Sequence, residues 1–365
     1  MASFDEVLKD CTKLGTKIPT SEYLENGKHP IIDQGQNDIA GYYDSDNGLF
    51  KDVPAIVFGD HTRVVKYVDK PCFLGADGVK LLCPVDKDIN CKYLFYQLSY
   101  ADIPNTGYNR HFKWIKALNF KIPSSDEQNQ VVEVLDKATD LISLRKQQLA
   151  KLDELVKARF VEMFGDLVVG DKIQTSKKKI GEIASVTKLA GFEFTKYIQY
   201  KEHGDIIMLR GLNCKQGKLI LDDVKWIDRE TSDLLPRSKL YYGDILMTYA
   251  GTIGDVAMVD ENDKYHLAPN VAKVSINNKK AYNPIFLMYL FLYSNDYIMR
   301  FASQVAQASI NMEKIRNFEY YFPDVTFQNQ FATFVERVNR QKQTVQQSLE
   351  KLELMKKALM QEYFG

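Results

Sequence analysis

The sequence predicts an α+β protein in which two mixed α/β domains are joined by two long antiparallel coiled-coil helices, forming a pseudo-two-fold internal repeat. Three observations predict this fold class: a segment that occurs twice in the chain, the helical composition of that segment, and short strand-like runs before each of its two occurrences. With 365 residues, of which 45% are hydrophobic and 12% aromatic, the chain is long enough for two packed cores.

The duplicated segment appears when the chain is shifted by 200 residues, which places 115–165 on 315–365 without a gap. The identical pairs are Ile115/Ile315, Pro123/Pro323, Gln128/Gln328, Asn129/Asn329, Gln130/Gln330, Gln147/Gln347, Leu149/Leu349, Lys151/Lys351, Leu152/Leu352, Lys157/Lys357, Ala158/Ala358, Glu162/Glu362, Phe164/Phe364 and Gly165/Gly365. Weaker upstream similarities pair Phe58-Gly59-Asp60 with Tyr242-Gly243-Asp244, 74–80 with 267–273, and Thr12-Lys13-Leu14 with Thr187-Lys188-Leu189. Each copy is therefore predicted to be a divergent globular part followed by a conserved tail.

Each tail is predicted to be one long helix, because 126–164 contains no Pro or Gly and is rich in Leu, Lys, Gln, Glu and Ala. Ser124 or Ser125 can cap its start, and Gly165 ends it. At 1.5 Å per residue such a helix is ~58 Å long. The chain then divides into globular parts at 1–125 and 166–325, and spacer helices at 126–165 and 326–365.

Apolar residues in both tails alternate in steps of three and four, as in a heptad seam. These positions are Leu135, Ala138, Ile142, Leu149, Leu152 and Val156 in the first tail and Val335, Val338, Val345, Leu349, Leu352 and Leu359 in the second. Arg145 and Lys342 interrupt the pattern. Two stripes of equal length in one chain favour pairing with each other, and the connectivity makes that pair antiparallel with a globular part at each end.

The globular parts are predicted to mix strands and helices. Strand-like runs separated by Gly, Asp and Asn occupy 55–58, 64–68, 206–209, 244–248 and 272–276. Helical stretches at 93–100 and 284–301 precede the final strand before each tail.

Bulk properties exclude several classes of protein. The 48 basic and 48 acidic residues cancel, so the chain is not an indiscriminate polyanion binder. Its five cysteines lack metal-ligand spacing and are expected to be reduced. We see no secretory signal, and no apolar run approaches the ~20 residues of a membrane span. These features predict a cytoplasmic protein.

Catalytic motifs are weak. Asn283-Pro284-Ile285-Phe286 resembles the Asn-Pro-Pro-Phe of adenine methyltransferases, but no glycine-rich S-adenosylmethionine signature accompanies it. Asp223-Val224-Lys225 has the spacing of a nuclease metal motif, which is common by chance. The five histidines show no metal-ligand pattern. We therefore predict a chain that is not an enzyme, with no catalytic, cofactor-binding or metal-binding residues.

Polar loops remain as candidates for contact with DNA, because Arg and Lys suit guanine edges and phosphates while Asn and Gln suit adenine edges. The candidate residues are Gln34, Gln36, His61, Thr62, Arg63, Lys66, Asn109, Arg110 and Lys113 in the first copy and Arg210, Asn213, Lys215, Tyr249, Thr252, Gln304, Gln307 and Asn311 in the second. For each of them, a solvated loop residue that only satisfies its own turn is the alternative.

Over nearly its full length the chain resembles the specificity subunits of type I restriction-modification systems. The residues that carry this resemblance are the tail segments Leu149-Ala150-Lys151-Leu152-Asp153-Glu154-Leu155, Arg159-Phe160, Met163-Phe164-Gly165 and Phe364-Gly365, together with Phe58-Gly59-Asp60-His61-Thr62-Arg63, Gly75-Ala76-Asp77-Gly78-Val79 and Gly251-Thr252-Ile253-Gly254. The resemblance implies two target recognition domains, each of which reads half of a split sequence in double-stranded DNA, and paired helices that set the unread gap.

The resemblance also implies partners: two methylation subunits that carry S-adenosylmethionine, and restriction/translocase subunits that use ATP and Mg²⁺. The large differences between the two globular parts imply two unlike half-sites. Two alternatives remain: a self-sufficient adenine DNA methyltransferase built on Asn283–Phe286, and a coiled-coil adaptor whose globular ends bind proteins.

Overall fold

The computed structural model describes residues 1–75, 77–173, 175–303 and 308–365. The chain forms two compact units. Unit 1 contains Met1–Gln148 and Val345–Gly365, and unit 2 contains Leu149–Thr344. Each unit therefore holds one globular part together with half of each long helix.

Besides its part of the C-terminal helix, unit 1 contains elements that precede or belong to the first long helix. Its strands are β1 (Ala2–Ser3), β2 (Leu8–Asp10), β3 (Lys17–Ile18), β4 (His29–Ile32), β5 (Gly41–Tyr43), β6 (Ala55–Gly59), β7 (Val65–Val68), β8 (Phe73–Gly75), β9 (Val79–Pro84) and β10 (Asn119–Phe120). Its helices are α1 (Phe4–Val7), α2 (Cys91–Tyr100), α3 (Phe112–Lys116) and the first part of α4 (Ser125–Phe164).

The elements of unit 2 lie between the two long helices. Its strands are β11 (Lys177–Lys179), β12 (Ala184–Lys188), β13 (Ile206–Leu209), β14 (Cys214–Lys215), β15 (Lys218–Leu219), β16 (Lys225–Ile227), β17 (Ile245–Thr248), β18 (Val256–Met258), β19 (Tyr265–Leu267), β20 (Val271–Ile276) and β21 (Glu319–Tyr321). Its helices are α5 (Ile180–Ile183), α6 (Gly191–Tyr197), α7 (Arg229–Asp233), α8 (Pro284–Tyr293), α9 (Asn295–Met299), α10 (Met312–Arg316) and part of α11 (Val325–Phe364).

The main sheets of the two units have the same topology. In unit 1 the strand order is β2-β9-β6-β7, and in unit 2 it is β12-β20-β17-β18, with antiparallel neighbours throughout. A second sheet repeats a parallel pair, with Ile31 beside Phe73 in unit 1 and Ile207 beside Tyr265 in unit 2. The duplication seen in the tails therefore extends through the divergent globular parts.

This topology corrects one of the upstream pairings. Gly59 ends β6, whereas Gly243 and Asp244 precede β17, the equivalent strand. Phe58-Gly59-Asp60 and Tyr242-Gly243-Asp244 thus lie at opposite strand ends, and their proposed correspondence is wrong. Asp60 is instead equivalent to Tyr249, which follows β17. The two residues make matching hydrogen bonds: Asp60 O accepts from His111 N at 2.8 Å, and Tyr249 O accepts from Ile310 N at 2.9 Å.

The predicted strands and helices are found, with small changes in their bounds. The helical stretch predicted at 284–301 is divided into α8 and α9 at Ser294, where the backbone leaves the helical conformation with a φ of −106° and a ψ of 25°. The Ser294 hydroxyl bonds to Leu290 O and to the Tyr320 hydroxyl. Phe286, Leu287 and Phe291 of α8 are buried in the core of unit 2. Within the described residues, no helix combines the length and apolar character that a membrane crossing requires.

The long helices begin and end as their sequences predict. Ser124 caps α4, since its hydroxyl oxygen accepts from Glu127 N at 3.4 Å while the Ser124 amide donates to the Glu127 carboxylate at 3.0 Å. Gly165 follows α4 with a φ of +65°, a backbone conformation that glycine adopts at little cost.

Within each unit the two helix halves pack side by side in opposite directions. In unit 1, Arg145 Nε donates to Ser348 Oγ at 3.2 Å, while Gln130 and Val134 share a groove with Tyr363. In unit 2, Lys342 bonds to the Asp153 carboxylate, and the rings of Phe160 and Phe331 lie 5.3 Å apart. The two interruptions of the apolar pattern, Arg145 and Lys342, thus both have polar partners across the helix pair.

Candidate nucleic-acid interface

Three connections in each unit carry most of the candidate residues, and the first two leave equivalent strands, while Lys66, Lys113 and Lys215 lie in β7, α3 and β14. In unit 1 the connections are 33–40, 60–64 and 101–111, after β4, β6 and α2. In unit 2 they are 210–213, 249–255 and 300–311, after β13, β17 and α9. Similar frames therefore support two unlike sets of loops.

In unit 1 the first two loops are tied together through Gln34. Its side-chain Oε1 accepts from His61 N at 3.2 Å, and its backbone carbonyl accepts from Thr62 Oγ1 at 2.7 Å. Gln36 lies exposed in the same loop. Gln34 thus lies beside His61 and Thr62, which follow it by 27 and 28 residues in the sequence.

The third loop of unit 1 is anchored by His111, which is fully buried. The imidazole Nδ1 lies 2.9 Å from Asp60 O, and Nε2 lies 3.3 Å from Thr106 Oγ1. This arrangement holds Asn109, whose carbonyl lies 3.2 Å from His61 Nδ1, and its exposed neighbour Arg110. His111 therefore has a structural role and brings the third loop beside the first two.

Tyr108 is a residue of this surface that sequence reasoning did not single out. Its side chain is 89% exposed, and its ring stacks on that of His61 with centroids 4.8 Å apart and planes 8° apart. The available sequence signal was an aromatic residue between Gly107 and Asn109, two residues typical of turns. Its exposure could not be inferred from that pattern.

Two candidate cations of unit 1 have side chains that bond to other residues of the unit. Arg63, at a φ of +63°, donates Nη1 to Ile103 O at 3.0 Å. Lys66 is buried, and its Nζ bonds to Asn37 O at 2.5 Å and Asp33 Oδ1 at 3.3 Å. In this conformation both support the loops, whereas Arg110 and Lys113 are exposed and present charge to solvent.

In unit 2, Arg210, Lys215 and Thr252 line one pocket of about 630 Å³. The aromatic rings of Phe194 and Tyr200 also line it. Asn213, by contrast, is fully buried: its Nδ2 donates to Ile220 O and Asp223 O at 2.7 and 2.8 Å, and its Oδ1 accepts from Arg210 N at 3.0 Å. Asn213 therefore shapes the loop that presents Arg210.

The loop after β17 is a tight turn in which Gly251 and Gly254 both have a φ of +83°. Thr248 holds it, because its hydroxyl donates to Thr252 O and accepts from Asp255 N at 3.0 Å. Thr252 is exposed at the tip. Tyr249 is half-buried, with Lys188 Nζ 5.5 Å from its ring centroid.

The third connection of unit 2 is described only in part. Asn311 caps α10 through a 2.8 Å hydrogen bond from Lys314 N to its Oδ1 and remains exposed. Gln304 and Gln307 lie outside the described residues. They remain candidates from sequence alone.

The motifs that suggested catalysis have local structural roles. Asn283 caps α8, since its Oδ1 accepts from Ile285 N at 2.9 Å and Phe286 N at 3.3 Å, and Phe286 is fully buried. Asp223 and Lys225 pair with different partners, Arg210 and Glu202. In the parts of the chain that the structure describes, His, Cys, Asp and Glu form no cluster able to hold a metal ion.

Gln128 and Gln328, which are repeated in the two tails, make the same set of hydrogen bonds in both units, called a clamp below. Gln128 Oε1 accepts from Asn90 N and Gln328 Oε1 from Asn283 N, each at 2.9 Å. The Nε2 groups donate to Pro123 O and Pro323 O at 2.9 and 2.8 Å. The clamp joins the start of each long helix to the helix before it, which explains why these residues are duplicated.

Two duplicated α/β units, polar loops and paired helices define a class of protein that presents two different sets of polar loops on one repeated frame. A family model for the type I restriction modification DNA specificity domain matches residues 5–154 and 174–354. The chain belongs to this family.

Relatives and solved structures agree with this assignment. The chain is 26% identical over 136 residues to the type I restriction enzyme EcoBI specificity subunit of Escherichia coli, a match that covers 36% of this chain and 28% of that protein. The match thus spans under a third of the curated relative's length. The S subunit of a type I restriction-modification system from M. genitalium has the same fold, with a TM-score of 0.58, 15% identity and coverage of 100% and 95% of the two chains.

A second solved chain comes from a structure concerned with complex assembly and conformational transition of the type I R-M system. It gives a TM-score of 0.57 at 12% identity, with coverage of 100% of this chain and 95% of that chain. Both structures bear on the fold of the whole described chain.

Proposed function

We propose that this chain is the DNA sequence-specificity subunit of a type I restriction-modification complex and reads a bipartite target. The observation that carries the proposal is that both halves match the specificity-domain family while their equivalent loops carry different polar residues. Residues 1–125 and 166–325 act as target recognition domains, each for one half-site, and 126–165 and 326–365 act as the spacer helices.

The proposed contact residues are the candidates whose side chains reach the loop surfaces. In unit 1 they are Gln34, Gln36, His61, Thr62, Asn109, Arg110 and Lys113, joined by Tyr108. In unit 2 they are Arg210, Lys215, Tyr249, Thr252 and Asn311. Gln304 and Gln307, which lie outside the described residues, are proposed from the sequence alone. Phosphate contacts from the cations position the DNA, and amide groups read base edges.

We further propose that the two long helices form an antiparallel coiled coil that sets the gap between half-sites. The burial of Leu135, Val156, Val335 and Leu349 along the predicted seam supports this arrangement.

Two methylation subunits are the proposed direct partners. Several residues that are identical in both tails are exposed, including Gln130 and Gln330, and Glu162 and Glu362. Exposed identities are not needed for packing, so their retention in both copies supports two equivalent binding surfaces. S-adenosylmethionine would then reside on these partners, and ATP and Mg²⁺ on the restriction/translocase subunits, in a cytoplasmic complex.

The test is to purify the chain with its methylation partner and select bound sequences from random DNA duplexes. We expect enrichment of one split sequence with two unlike halves and a constant gap. Enrichment of no bipartite sequence would contradict the proposal.

The alternatives predict other results. S-adenosylmethionine binding by the isolated chain would favour a self-sufficient methyltransferase. Unchanged DNA retention after replacement of Arg63, Arg110 and Arg210 by Gln would favour a protein-binding adaptor.

A further inference from the structure

The guanidinium of Arg210 is held by a carboxylate of its own chain. Arg210 Nη2 donates to Asp223 Oδ1 at 2.7 Å and to Asp223 O at 2.9 Å. The Arg210 side chain is 20% exposed, whereas that of Asp223 is 66% exposed. Asp223 is therefore the more exposed partner of this ion pair.

The same guanidinium is not fully satisfied. Arg210 Nε is buried and has no hydrogen-bond partner within the described part of the chain. Arginine presents its donors as a planar fork that suits paired acceptors, and a buried donor without a partner is energetically costly. The pocket of about 630 Å³ beside it is lined by Lys215, Thr252 and the carboxylate-bearing Asp255. Once the guanidinium leaves Asp223, a ligand with paired acceptors would also give Nε the partner that it lacks here.

We propose that Asp223 is an internal competitor that occupies Arg210 in the free protein, and that DNA displaces it with paired acceptors of its own. The acceptors are either the edge of a guanine or the oxygens of a backbone phosphate, which share this chemistry. Asp223 thus raises the selectivity of unit 2, because only DNA that offers well-placed acceptors repays the loss of the ion pair. This inference rests on the proposed DNA-reading function.

The loop has backbone contacts that do not involve the Asp223 carboxylate. The backbone carbonyl of Asp223 accepts from Asn213 Nδ2 at 2.8 Å as well as from Arg210, and Asn213 is fully buried. Replacement of Asp223 by the isosteric Asn therefore removes the charge while these backbone contacts hold the loop.

The experiment measures the affinity of the complex with the methylation partner for the selected target and for random duplex DNA. We expect Asp223→Asn to strengthen target binding by about two- to fivefold, the range that follows from the strength of exposed ion pairs. Arg210→Gln should weaken it, and adding Asp223→Asn to Arg210→Gln should give no further gain, because the competitor acts only through Arg210.

Asp222→Asn is the matched control, since Asp222 is an exposed neighbour whose replacement changes the net charge equally. An equal gain from Asp222→Asn would overturn the inference in favour of general electrostatics. Weaker target binding by Asp223→Asn would overturn it too, because Asp223 would then be positioning Arg210 for the bound state.

Two further comparisons identify the acceptor. If Asp223→Asn raises the affinity only for targets with a particular G·C pair in one half-site, the acceptor is a guanine edge. If it raises the affinity for random duplex DNA as well, the acceptor is a phosphate. If the unmodified complex selects no bipartite target, the proposed function itself has failed. If it selects one and Asp223→Asn behaves like Asp222→Asn, only the inference has failed.

Discussion

At the scale of single residues, Tyr108 combines high exposure with a fixed orientation. Its ring stacks on His61, whose amide bonds to Gln34 and whose Nδ1 lies near Asn109 O. A large aromatic side chain that is already ordered loses little conformational freedom when it contacts a base or sugar. In the proposed function, the stacked pair therefore presents Tyr108 for contact with DNA in unit 1.

We expect Tyr108→Ala to weaken binding to the selected target about tenfold, because truncation of an aromatic anchor at an interface costs on the order of 1–2 kcal/mol. The loss should alter preference in one half-site only, and the unfolding midpoint should not change because the side chain is 89% exposed. Binding titrations on targets with single base-pair changes would measure this. Tyr242→Ala, at an exposed tyrosine of unit 2, is the control, and an equal loss there would contradict a specific role.

At the scale of elements, the clamps of Gln128 and Gln328 join each long helix to its globular unit. Gln328 is 1% exposed and bonds to both Asn283 N and Pro323 O, whereas the equally duplicated Gln330 is exposed. Sequence identity alone therefore does not separate residues that stabilise the frame from residues that are available to partners.

Gln328→Ala should lower the free energy of unfolding by about 2 kcal/mol, because it leaves a backbone donor and a backbone acceptor without their side-chain partner. Gln330→Ala should change it by less than about 0.5 kcal/mol, as expected for an exposed site. Urea unfolding of both variants tests the comparison. Equal losses would show that the clamp contributes nothing particular to stability.

At the scale of the whole molecule, helix length is the proposed determinant of target spacing. α4 and α11 are each 40 residues long, and both are divided between the two units. One heptad adds about 10 Å to a helix, or about three base pairs at 3.4 Å each.

Insertion of one heptad into both helices should therefore lengthen the unread gap by about three base pairs while both half-sites remain unchanged. Sequence selection with the lengthened protein and its methylation partner measures the gap directly. An insertion of seven residues into the 166–175 segment is the control and should leave the gap unchanged. A constant gap after helix lengthening would mean that the helices only fasten the units together.

Much of the frame was predictable because its signals are local or repeated. Helix α4 was expected at 126–164 and lies at Ser125–Phe164, since propensity, a capping serine and a terminal glycine agree. The strand predicted at 206–209 is β13. The division at Ser294 was missed because 284–301 contains no Gly and no internal Pro to mark it, and the contact that Ser294 makes with the Tyr320 hydroxyl joins residues 26 apart.

The candidate surfaces were predictable only as loops. Arg210 and Asn213 are both polar and lie three residues apart, yet Arg210 lines the pocket and Asn213 is fully buried. The sequence by itself determined the duplication, the two helices and the unlike loops, because periodicity and identity are properties of the chain. The tertiary structure alone decided that Lys66 and Asn213 turn inward, that Tyr108 turns outward and that Asp223 holds Arg210, because these orientations depend on contacts between segments distant in sequence.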